Sequence, residues 1–340
     1  MARRTDRPEK YIQEDKKDPL SRSRIVAFAA AFAAAFLVPV LVGGAVLVSD
    51  WSQGAQKDPA EEQMPAGSTL CCRLTAASGE EAGRSAEMED SCNAVLTDLP
   101  AAEDEAVYLG GYAPSEDVRE ALDACIKDTG KSKHHTGFVM LDLDTGMGVA
   151  YNTEQEFYGA SSIKLHRIMA IAEAHPEVVT DARQALWETL VESDNDAYEW
   201  LCEQYGNSTL DYYLKAARAS VRYSETVRYA YYNALSFARL WKHAYDLMLT
   251  VPACDEAGAF AEKPSYSSIH RVLGKAYTTR SKAGWIAEGD NRAAVDGGIV
   301  YDKESPYLLV IMSDYDSDLT LLDPYVIALE NAHQEIKKQK

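Results

Sequence analysis

A serine and a lysine three positions apart, Ser161 and Lys164, stand at the predicted start of a helix. Residues with this spacing lie on the same face of a helix, so the Lys164 amine is expected to reach the Ser161 hydroxyl. A serine hydroxyl is a poor nucleophile until a base accepts its proton. Lys164 is such a base only when neutral, which requires burial or a cationic neighbour to lower its pKa. The pair therefore predicts nucleophilic catalysis by Ser161.

Two further motifs follow along the chain. Ser193-Asp194-Asn195 comes after a predicted helix end, and Lys282-Ala283-Gly284 lies in or near a predicted strand. Each motif alone is weak, because Ser, Asp and Asn are common at helix ends and K-x-G is a frequent triplet. Lys282 is a candidate for the cation that lowers the pKa of Lys164. The order of the three motifs is the more specific observation.

This order resembles the active-site motifs S-x-x-K, S-D-N and K-T-G of class A β-lactamases and penicillin-binding proteins. The resemblance covers residues 115–336. It implies a nucleophile, a base, a proton relay to the departing nitrogen and a set of substrate-binding groups. The implied catalytic residues are Ser161, Lys164 and Ser193, and the implied substrate-binding residues are Asn195, Lys282, Gly284 and Trp285. In this resemblance, the backbone N–H groups of Ser161 and Trp285 stabilise the oxyanion.

Two departures from the family pattern concern residues of the site itself. Ala283 replaces the hydroxyl residue of K-T-G, which in the family helps to hold the substrate carboxylate. Arg292, at the start of the next predicted strand, is either an alternative carboxylate ligand or an exposed strand arginine. No E-x-x-L-N follows Ser193, and Glu225 is the only acid near the place of the glutamate that activates the deacylating water in class A enzymes. Efficient β-lactam hydrolysis therefore does not follow from the resemblance.

The elements that must position these residues change in type along the chain. A helix beginning after Ser115 is followed by two strand-like runs, a helix over 162–174, a helix over 181–192 and further helices to about residue 247. Strand-like runs then lie at 276–279, 293–295, 298–301 and 307–312, and a closing helix at 318–336. Strands at both ends with helices between predict one α+β domain with an antiparallel sheet. The resemblance implies an αβα sandwich with a helical lobe.

Residues 25–48 carry no charge and are long enough to cross a bilayer as a helix. Residues 1–24 hold eight basic against five acidic residues, which predicts a cytoplasmic tail, residues 25–48 as a single transmembrane helix, and the rest outside the cytoplasm. A cleaved signal peptide is the alternative, although its apolar region is usually shorter, about 7–15 residues. Residues 49–112 predict an acidic extracytoplasmic spacer or a small stapled segment, and residues 113–340 the serine hydrolase domain.

The net charge limits the possible binding partners, and the cysteines bear on disulfides and metal binding. The net charge of −19 argues against binding to nucleic acid, whose phosphates require Lys and Arg. Cysteines in an oxidising compartment predict disulfides, with 15 possible connectivities for six residues. These are Cys71, Cys72, Cys92, Cys125, Cys202 and Cys254. No metal-ligand spacing and no cofactor motif is present in the sequence, so neither a metal nor a cofactor is expected.

These observations predict an extracytoplasmic enzyme that forms an acyl-enzyme at Ser161. The expected substrate is a small molecule with a β-lactam carbonyl or a peptide of the peptidoglycan wall. The alternative is a penicillin-binding sensor or a wall-facing binding protein without turnover, favoured by Ala283 and the missing glutamate. A degenerate structural partner is a third interpretation, against which the complete S-x-x-K and S-D-N motifs argue.

Overall fold

The computed structural model describes residues 92–340, apart from residues 207, 225–227 and 289–290. The predicted cytoplasmic tail, the transmembrane segment 25–48 and the spacer up to residue 91 lie outside the described residues. No helix within the described range combines the length and the hydropathy needed to cross a membrane.

The described strands and helices are labelled in chain order. The strands are β1 (Val107–Leu109), β2 (Thr136–Asp142), β3 (Gly148–Tyr151), β4 (Glu156–Tyr158), β5 (Arg222–Tyr223), β6 (Ala230–Asn233), β7 (Thr278–Ser281), β8 (Gly284–Glu288), β9 (Asn291–Tyr301) and β10 (Tyr307–Ser313). The α-helices are α1 (Glu116–Lys131), α2 (Ile163–Ala174), α3 (Val178–Asp181), α4 (Arg183–Trp187), α5 (Asn195–Tyr205), α6 (Ser208–Ala216), α7 (Ala234–Thr250), α8 (Pro252–Ala259), α9 (Ser268–Leu273) and α10 (Asp323–Gln339).

A seven-stranded antiparallel sheet forms the centre of the described part of the chain. Its strand order is β1-β3-β2-β10-β9-β7, and β8 also pairs with β9. Strands β7 and β8 share one register along β9, because Ser281 pairs with Gly298 and Gly284 pairs with Val295. Between them, the Lys282 N–H donates to the Gly297 carbonyl oxygen at 2.9 Å. The K-A-G motif therefore lies inside one almost continuous edge strand.

Both faces of the sheet are covered, as the alternation of side chains along a strand requires. On β10, Leu308 and Val310 belong to one hydrophobic cluster, whereas Leu309 and Ile311 belong to the other. Helix α7 packs against β2, β9 and β10, and α10 packs against β2, β3 and β10. Helix α1 lies against α10, and α2 packs among α6, α7 and α8 in a helical lobe. The predicted α+β class with an antiparallel sheet is confirmed.

The predicted boundary between spacer and domain needs correction. The sequence predicts a spacer up to residue 112, but β1 pairs with β3 at the edge of the main sheet. Residues 92–97 are helical, and their buried side chains include Cys92 and Leu96. The helical run of six described residues is too short to show a periodic pattern, and the domain includes residues assigned to the spacer.

The sequence also predicted disulfides, which would staple a small segment before the domain. No disulfide joins any two of the cysteines that the structure describes, Cys92, Cys125, Cys202 and Cys254. Burial raises the pKa of Cys254 to about 12, so its thiol is held in the neutral form. The predicted pairings that involve Cys71 and Cys72 lie outside the described residues.

Candidate active site

The predicted nucleophile lies on a tight turn between β4 and α2. Ser161 is the middle residue of a 3₁₀ turn over Ala160–Ser162, and Ala160 has a φ of 45°, which non-glycine residues adopt rarely. The Ser162 hydroxyl donates to the Gly159 carbonyl oxygen at 2.6 Å and also hydrogen bonds with the buried Tyr232 hydroxyl. These contacts hold the turn, so the half-buried Ser161 is presented at the beginning of a helix.

Strand β8 runs directly against this turn. A Cβ atom on Gly284 would lie 2.2 Å from the Gly159 carbonyl oxygen and 2.8 Å from the Ser161 nitrogen. Only glycine allows two backbones to approach so closely. The glycine of the K-A-G motif is therefore required to bring the edge of β8, with the backbone of Trp285, alongside Ser161.

Lys164 is fully buried and directed at the S-D-N segment. Its Nζ donates to the carbonyl oxygens of Ser193 (2.7 Å) and Asp194 (3.2 Å) and to Oδ1 of Asn195 (2.6 Å). Three acceptors match the three N–H groups of an ammonium. Among the described residues, no hydrogen bond joins Lys164 Nζ to Ser161 Oγ, so the predicted proton transfer between them remains a prediction.

Lys282 also contacts Ser193, the residue whose carbonyl oxygen accepts from Lys164. Its Nζ donates to Ser193 Oγ at 2.8 Å and to the Ala283 carbonyl oxygen at 2.9 Å. Ser193 follows a π-helical turn over Glu188–Glu192 and has a φ of 60°, in the left-handed region. This conformation lets Ser193 offer its carbonyl oxygen to Lys164 and its hydroxyl to Lys282 at once.

Burial disfavours the charged form of both lysines. Burial lowers the pKa of Lys164 to about 7, although the nearby charge of Asp194 acts in the opposite direction. Burial also lowers the pKa of Lys282 well below its usual value; the Lys164 charge lowers it further, and Asp296 opposes the change. Both protonation states of Lys164 are therefore populated near neutral pH, and its neutral form is a competent base.

The amide of Asn195 is held from two sides. Its Oδ1 accepts from Lys164 Nζ and from the Tyr229 hydroxyl at 3.0 Å, so its NH₂ group is left to face outward. Asp194 caps α5 by accepting from the Ala197 N–H at 2.7 Å. The contact of Tyr229 was not foreseen, because the Tyr-rich run 229–232 is typical of packing and carries no signal for a polar contact.

The remaining predicted site residues lie around β8. Ala283 is fully buried in the apolar cluster that contains Ile269 and Leu273. Trp285 is half-buried, and its ring centroid lies 5.8 Å from Lys282 Nζ. Arg292, expected either as a carboxylate ligand or as an exposed strand arginine, is exposed on β9, and its Nε lies 2.5 Å from a carboxylate oxygen of Asp316.

Two further expectations concern Glu225 and metal binding. Glu225, the acid nearest the expected place of a deacylating glutamate, lies outside them. No group of three or more metal-ligating side chains occurs in the part of the chain that the structure describes. The described side chains that lie at the site are those of Ser161 and Ser193, the two lysines of lowered pKa and the Asn195 amide.

The fold of this domain is similar to that of several solved structures. The domain aligns with the beta-lactamase from Sphaerobacter thermophilus DSM 20745 at 14% identity and a TM-score of 0.55, covering 65% of this chain and 98% of that one. The beta-lactamase from Streptosporangium roseum aligns at 16% identity and a TM-score of 0.52, covering 65% of this chain and 100% of that one. The chain has a β-lactamase-like fold.

The β-lactamase-like domain is also similar to PBP-A in its acyl-enzyme complex with penicillin G, at 14% identity and a TM-score of 0.53, over 67% of this chain and 97% of that one. Residues 170–325 match the model of the beta-lactamase enzyme family. This segment contains the S-D-N and K-A-G motifs and begins after Ser161. No curated protein matches the chain by sequence. These findings support the predicted superfamily of β-lactamases and penicillin-binding proteins.

Proposed function

We propose that this protein is a serine hydrolase that forms an acyl-enzyme at Ser161 with a β-lactam or a peptidoglycan-type peptide carbonyl. One observation carries the proposal. Lys164 and Lys282 both donate to Ser193, and Gly284 brings β8 against the Ser161 turn, so the three motifs meet at one place. The β-lactamase-like fold supports the same chemistry at the level of the family.

In the proposed acylation, neutral Lys164 accepts the Ser161 proton while Oγ attacks the carbonyl carbon. For this step Lys164 exchanges one of its present acceptors for the Ser161 hydroxyl. The developing oxyanion receives hydrogen bonds from the backbone N–H groups of Ser161 and Trp285, which the β8 contact brings together. Burial keeps Lys164 available as a neutral base near neutral pH, and the charge that it gains on accepting the proton is stabilised by its hydrogen bonds to the S-D-N segment.

In the proposed second half of acylation, the C–N bond breaks and the departing nitrogen takes a proton from Ser193 Oγ. Ser193 recovers a proton from Lys282, which already donates to it. Asn195 holds the acyl amide through its outward NH₂ group. Water or an amine then attacks the Ser161 ester and gives up one proton, which passes through Ser193 to the neutral Lys282. Lys164 returns its proton to the departing Ser161 Oγ, so the acyl group is released and all three side chains regain their starting state.

The test is intact-mass analysis of the protein with benzylpenicillin over time. The proposal predicts an adduct of one penicillin per chain that Ser161→Ala abolishes, with Ser220→Ala, at an exposed serine, as the matched control that retains labelling. Full labelling of Ser161→Ala would reject Ser161 as the nucleophile. If no adduct forms and no drug is consumed, activated esters replace penicillin in the same comparison.

A second candidate function is a penicillin-binding sensor or wall-facing binding protein that stays acylated. The observation that favours it is the sequence after Ser193, which lacks E-x-x-L-N. A persistent adduct in the same experiment supports this function, whereas a transient adduct with consumed drug supports a hydrolase.

We also propose that the domain works outside the cytoplasm, anchored by residues 25–48. The uncharged stretch and the preceding cluster of basic residues support this placement. Added protease should digest the domain in intact spheroplasts but spare a cytoplasmic marker. Protection of the domain in intact spheroplasts would contradict the proposed topology.

A further inference from the structure

A cavity of about 540 Å³ lies outside the candidate active site, and none of the motif residues lines it. It is bounded by the helical residues 92–97, the end of α6 and the middle of α7. Its titratable lining residues are Asp98, Arg218, Arg239, Lys242, His243 and Asp246. Three cations against two acids line this cavity, although the whole chain carries a net charge of −19. The cavity is therefore a candidate for binding an anion.

Two of the lining charges cancel each other. The Lys242 amine donates to both carboxylate oxygens of Asp246 at 2.7 Å, one turn further along α7. His243 adds no charge at neutral pH, because burial and the Lys242 charge lower its pKa. The charges that remain for a ligand are those of the two arginines and of Asp98, which is exposed.

Among the described residues, the Arg239 guanidinium binds neutral acceptors only. Its Nε and Nη2 donate to the Leu96 carbonyl oxygen at 2.9 and 2.7 Å, and its Nη1 donates to the Arg218 carbonyl oxygen at 3.1 Å. Three of its five N–H groups are thus engaged, which leaves two for a further acceptor. Burial lowers the pKa of Arg239, and the nearby Arg218 charge lowers it further. An anion between the two guanidiniums would stabilise both.

Arg218 occupies a backbone position that glycine usually takes. Its N–H donates to the Lys215 carbonyl oxygen at 3.1 Å, and the next N–H, of Ala219, donates to the Leu214 carbonyl oxygen at 3.0 Å. These two bonds form a Schellman motif at the end of α6. Arg218 has a φ of 52°, in the left-handed region that strains most side chains. Its exposed side chain makes no hydrogen bond or ion pair with a described residue, so a strained arginine here points to a ligand.

We propose that this cavity binds a phosphate group between the Arg218 and Arg239 guanidiniums. Guanidinium N–H groups match phosphate oxygens in pairs, and the phosphate supplies the negative charge that no described carboxylate gives to either arginine. Asp98 repels such a ligand and keeps its affinity moderate. The two sources of this chemistry are a free phosphate and the phosphodiester of a polymer. This site does not depend on the proposed Ser161 chemistry.

The test is isothermal titration of the full chain with inorganic phosphate, at a constant ionic strength set with chloride. One saturable site with a Kd of about 0.1–1 mM is expected. Arg218→Gly should weaken binding at least about tenfold, because it removes a charged donor. The same change should leave the thermal midpoint unchanged or raise it, since glycine adopts the left-handed φ without strain. Asp98→Asn should tighten binding about two- to threefold.

Lys215→Ala is the matched control, because it removes an exposed cation of α6 that does not line the cavity, and it should leave the affinity unchanged. Arg239→Gln should also weaken binding, with circular dichroism as the check that residues 92–97 stay folded. Titration with dimethyl phosphate distinguishes the two sources: weaker binding than inorganic phosphate indicates a free phosphate, and equal or tighter binding indicates a phosphodiester. The absence of saturable binding below about 10 mM phosphate overturns the proposal, as does an affinity that Arg218→Gly leaves unchanged.

Discussion

Two buried polar clusters of this domain contain a serine and titratable side chains, yet they differ in what surrounds their charges. The lysine cluster beside the nucleophile turn consists of Lys164, Ser193 and Lys282. The aspartate cluster between β2 and α10 consists of Asp142, Ser305 and His333.

The aspartate cluster satisfies its charge. The Asp142 carboxylate accepts from the Ser305 hydroxyl, from His333 Nε2 at 3.2 Å and from Thr145 Oγ1 at 2.8 Å. Burial alone would raise the pKa of Asp142, but these hydrogen bonds outweigh burial and hold the pKa below its usual range. A carboxylate so stabilised is a weak base, so Ser305 gains no activation from it.

In the lysine cluster, the protonated form of both lysines is disfavoured. Burial lowers the pKa of Lys164 and that of Lys282, and the two cations repel each other across Ser193. Both charges are buried and hydrogen bonded, but the balance differs: hydrogen bonds outweigh burial at Asp142 and keep its carboxylate charged, whereas burial outweighs the three hydrogen bonds of Lys164 and makes its neutral form available for proton transfer.

The largest expected effect is on the lysine cluster. Lys164→Ala removes the proposed base and is expected to slow acylation of Ser161 about 10³-fold, within the range found for general bases. Stopped-flow acylation of folded protein measures it. Lys303→Ala removes a lysine charge at an exposed position and should leave the rate unchanged. Wild-type acylation rates in Lys164→Ala would remove this cluster from the chemistry.

Gly284→Ala tests the backbone contact that joins the cluster to the nucleophile. The new Cβ would collide with the Gly159 carbonyl oxygen, so β8 must shift away from Ser161. A shift of about 1 Å is expected to slow acylation about 100-fold, with a loss of about 1–3 kcal/mol in the free energy of unfolding. Gly130→Ala, within α1 and with open space around it, is the control and should be neutral or stabilising. Unimpaired acylation in Gly284→Ala would contradict the account.

Asp142→Asn tests the other side of the comparison. Loss of the charge is expected to lower the free energy of unfolding by about 2–3 kcal/mol at pH 7, with no change in the acylation rate of the folded protein. The pKa of Asp142 is lower in the folded state, so its contribution is present above the ordinary pKa of about 4 and is lost as pH falls below that value. Urea unfolding at pH 7 and pH 3 measures the difference between the two proteins, which should shrink at pH 3.

Asp123→Asn, at an exposed pair with Lys127, is the control for that experiment. Its effect should stay within about 0.5 kcal/mol. A similar loss for both variants at both pH values would mean that Asp142 contributes no special stability through its charge.

The smallest expected effect concerns Tyr229. In the wild-type protein, acylation should rise with pH around a midpoint near 7, because only neutral Lys164 accepts the Ser161 proton. Tyr229→Phe removes the hydroxyl donor to Asn195 Oδ1, so this oxygen accepts from Lys164 alone. The stronger contact favours the Lys164 ammonium, raises its pKa and moves the midpoint of the rate profile upward. At pH 7 the rate should fall about threefold and recover at high pH. A pH–rate profile with an unmoved midpoint would rule out this role for Tyr229.

Much of the fold follows from local pattern. The helix after Ser115, the strands β2, β3 and β10 and the helix α2 were predictable because each has a cap or a clear apolar run. The predicted helix 181–192 is helical from residue 183 onward, but only α4 is an α-helix and a π-helical turn over Glu188–Glu192 follows it directly. A π turn and the left-handed φ of Ser193 leave no mark in hydrophobic periodicity.

The sequence predicted which residues form the site better than it predicted the hydrogen bonds between them. The order of the motifs predicted that Lys164, Ser193 and Lys282 would meet, and the structure brings them within hydrogen-bond distance. Sequence spacing placed Lys164 against Ser161, whereas its amine bonds to the S-D-N segment. That preference depends on carbonyl oxygens exposed by the backbone at Ser193, which side-chain spacing does not reveal.

The central claim is that the environment, and not the residue type, makes Ser161 the nucleophile. A fluorophosphonate probe reacts covalently with activated serines, and peptide mapping of the labelled protein identifies the serine that carries it. The account predicts labelling at Ser161 alone, abolished in Ser161→Ala and retained in Ser305→Ala. Labelling that falls on Ser305, or that survives in Ser161→Ala, would contradict it.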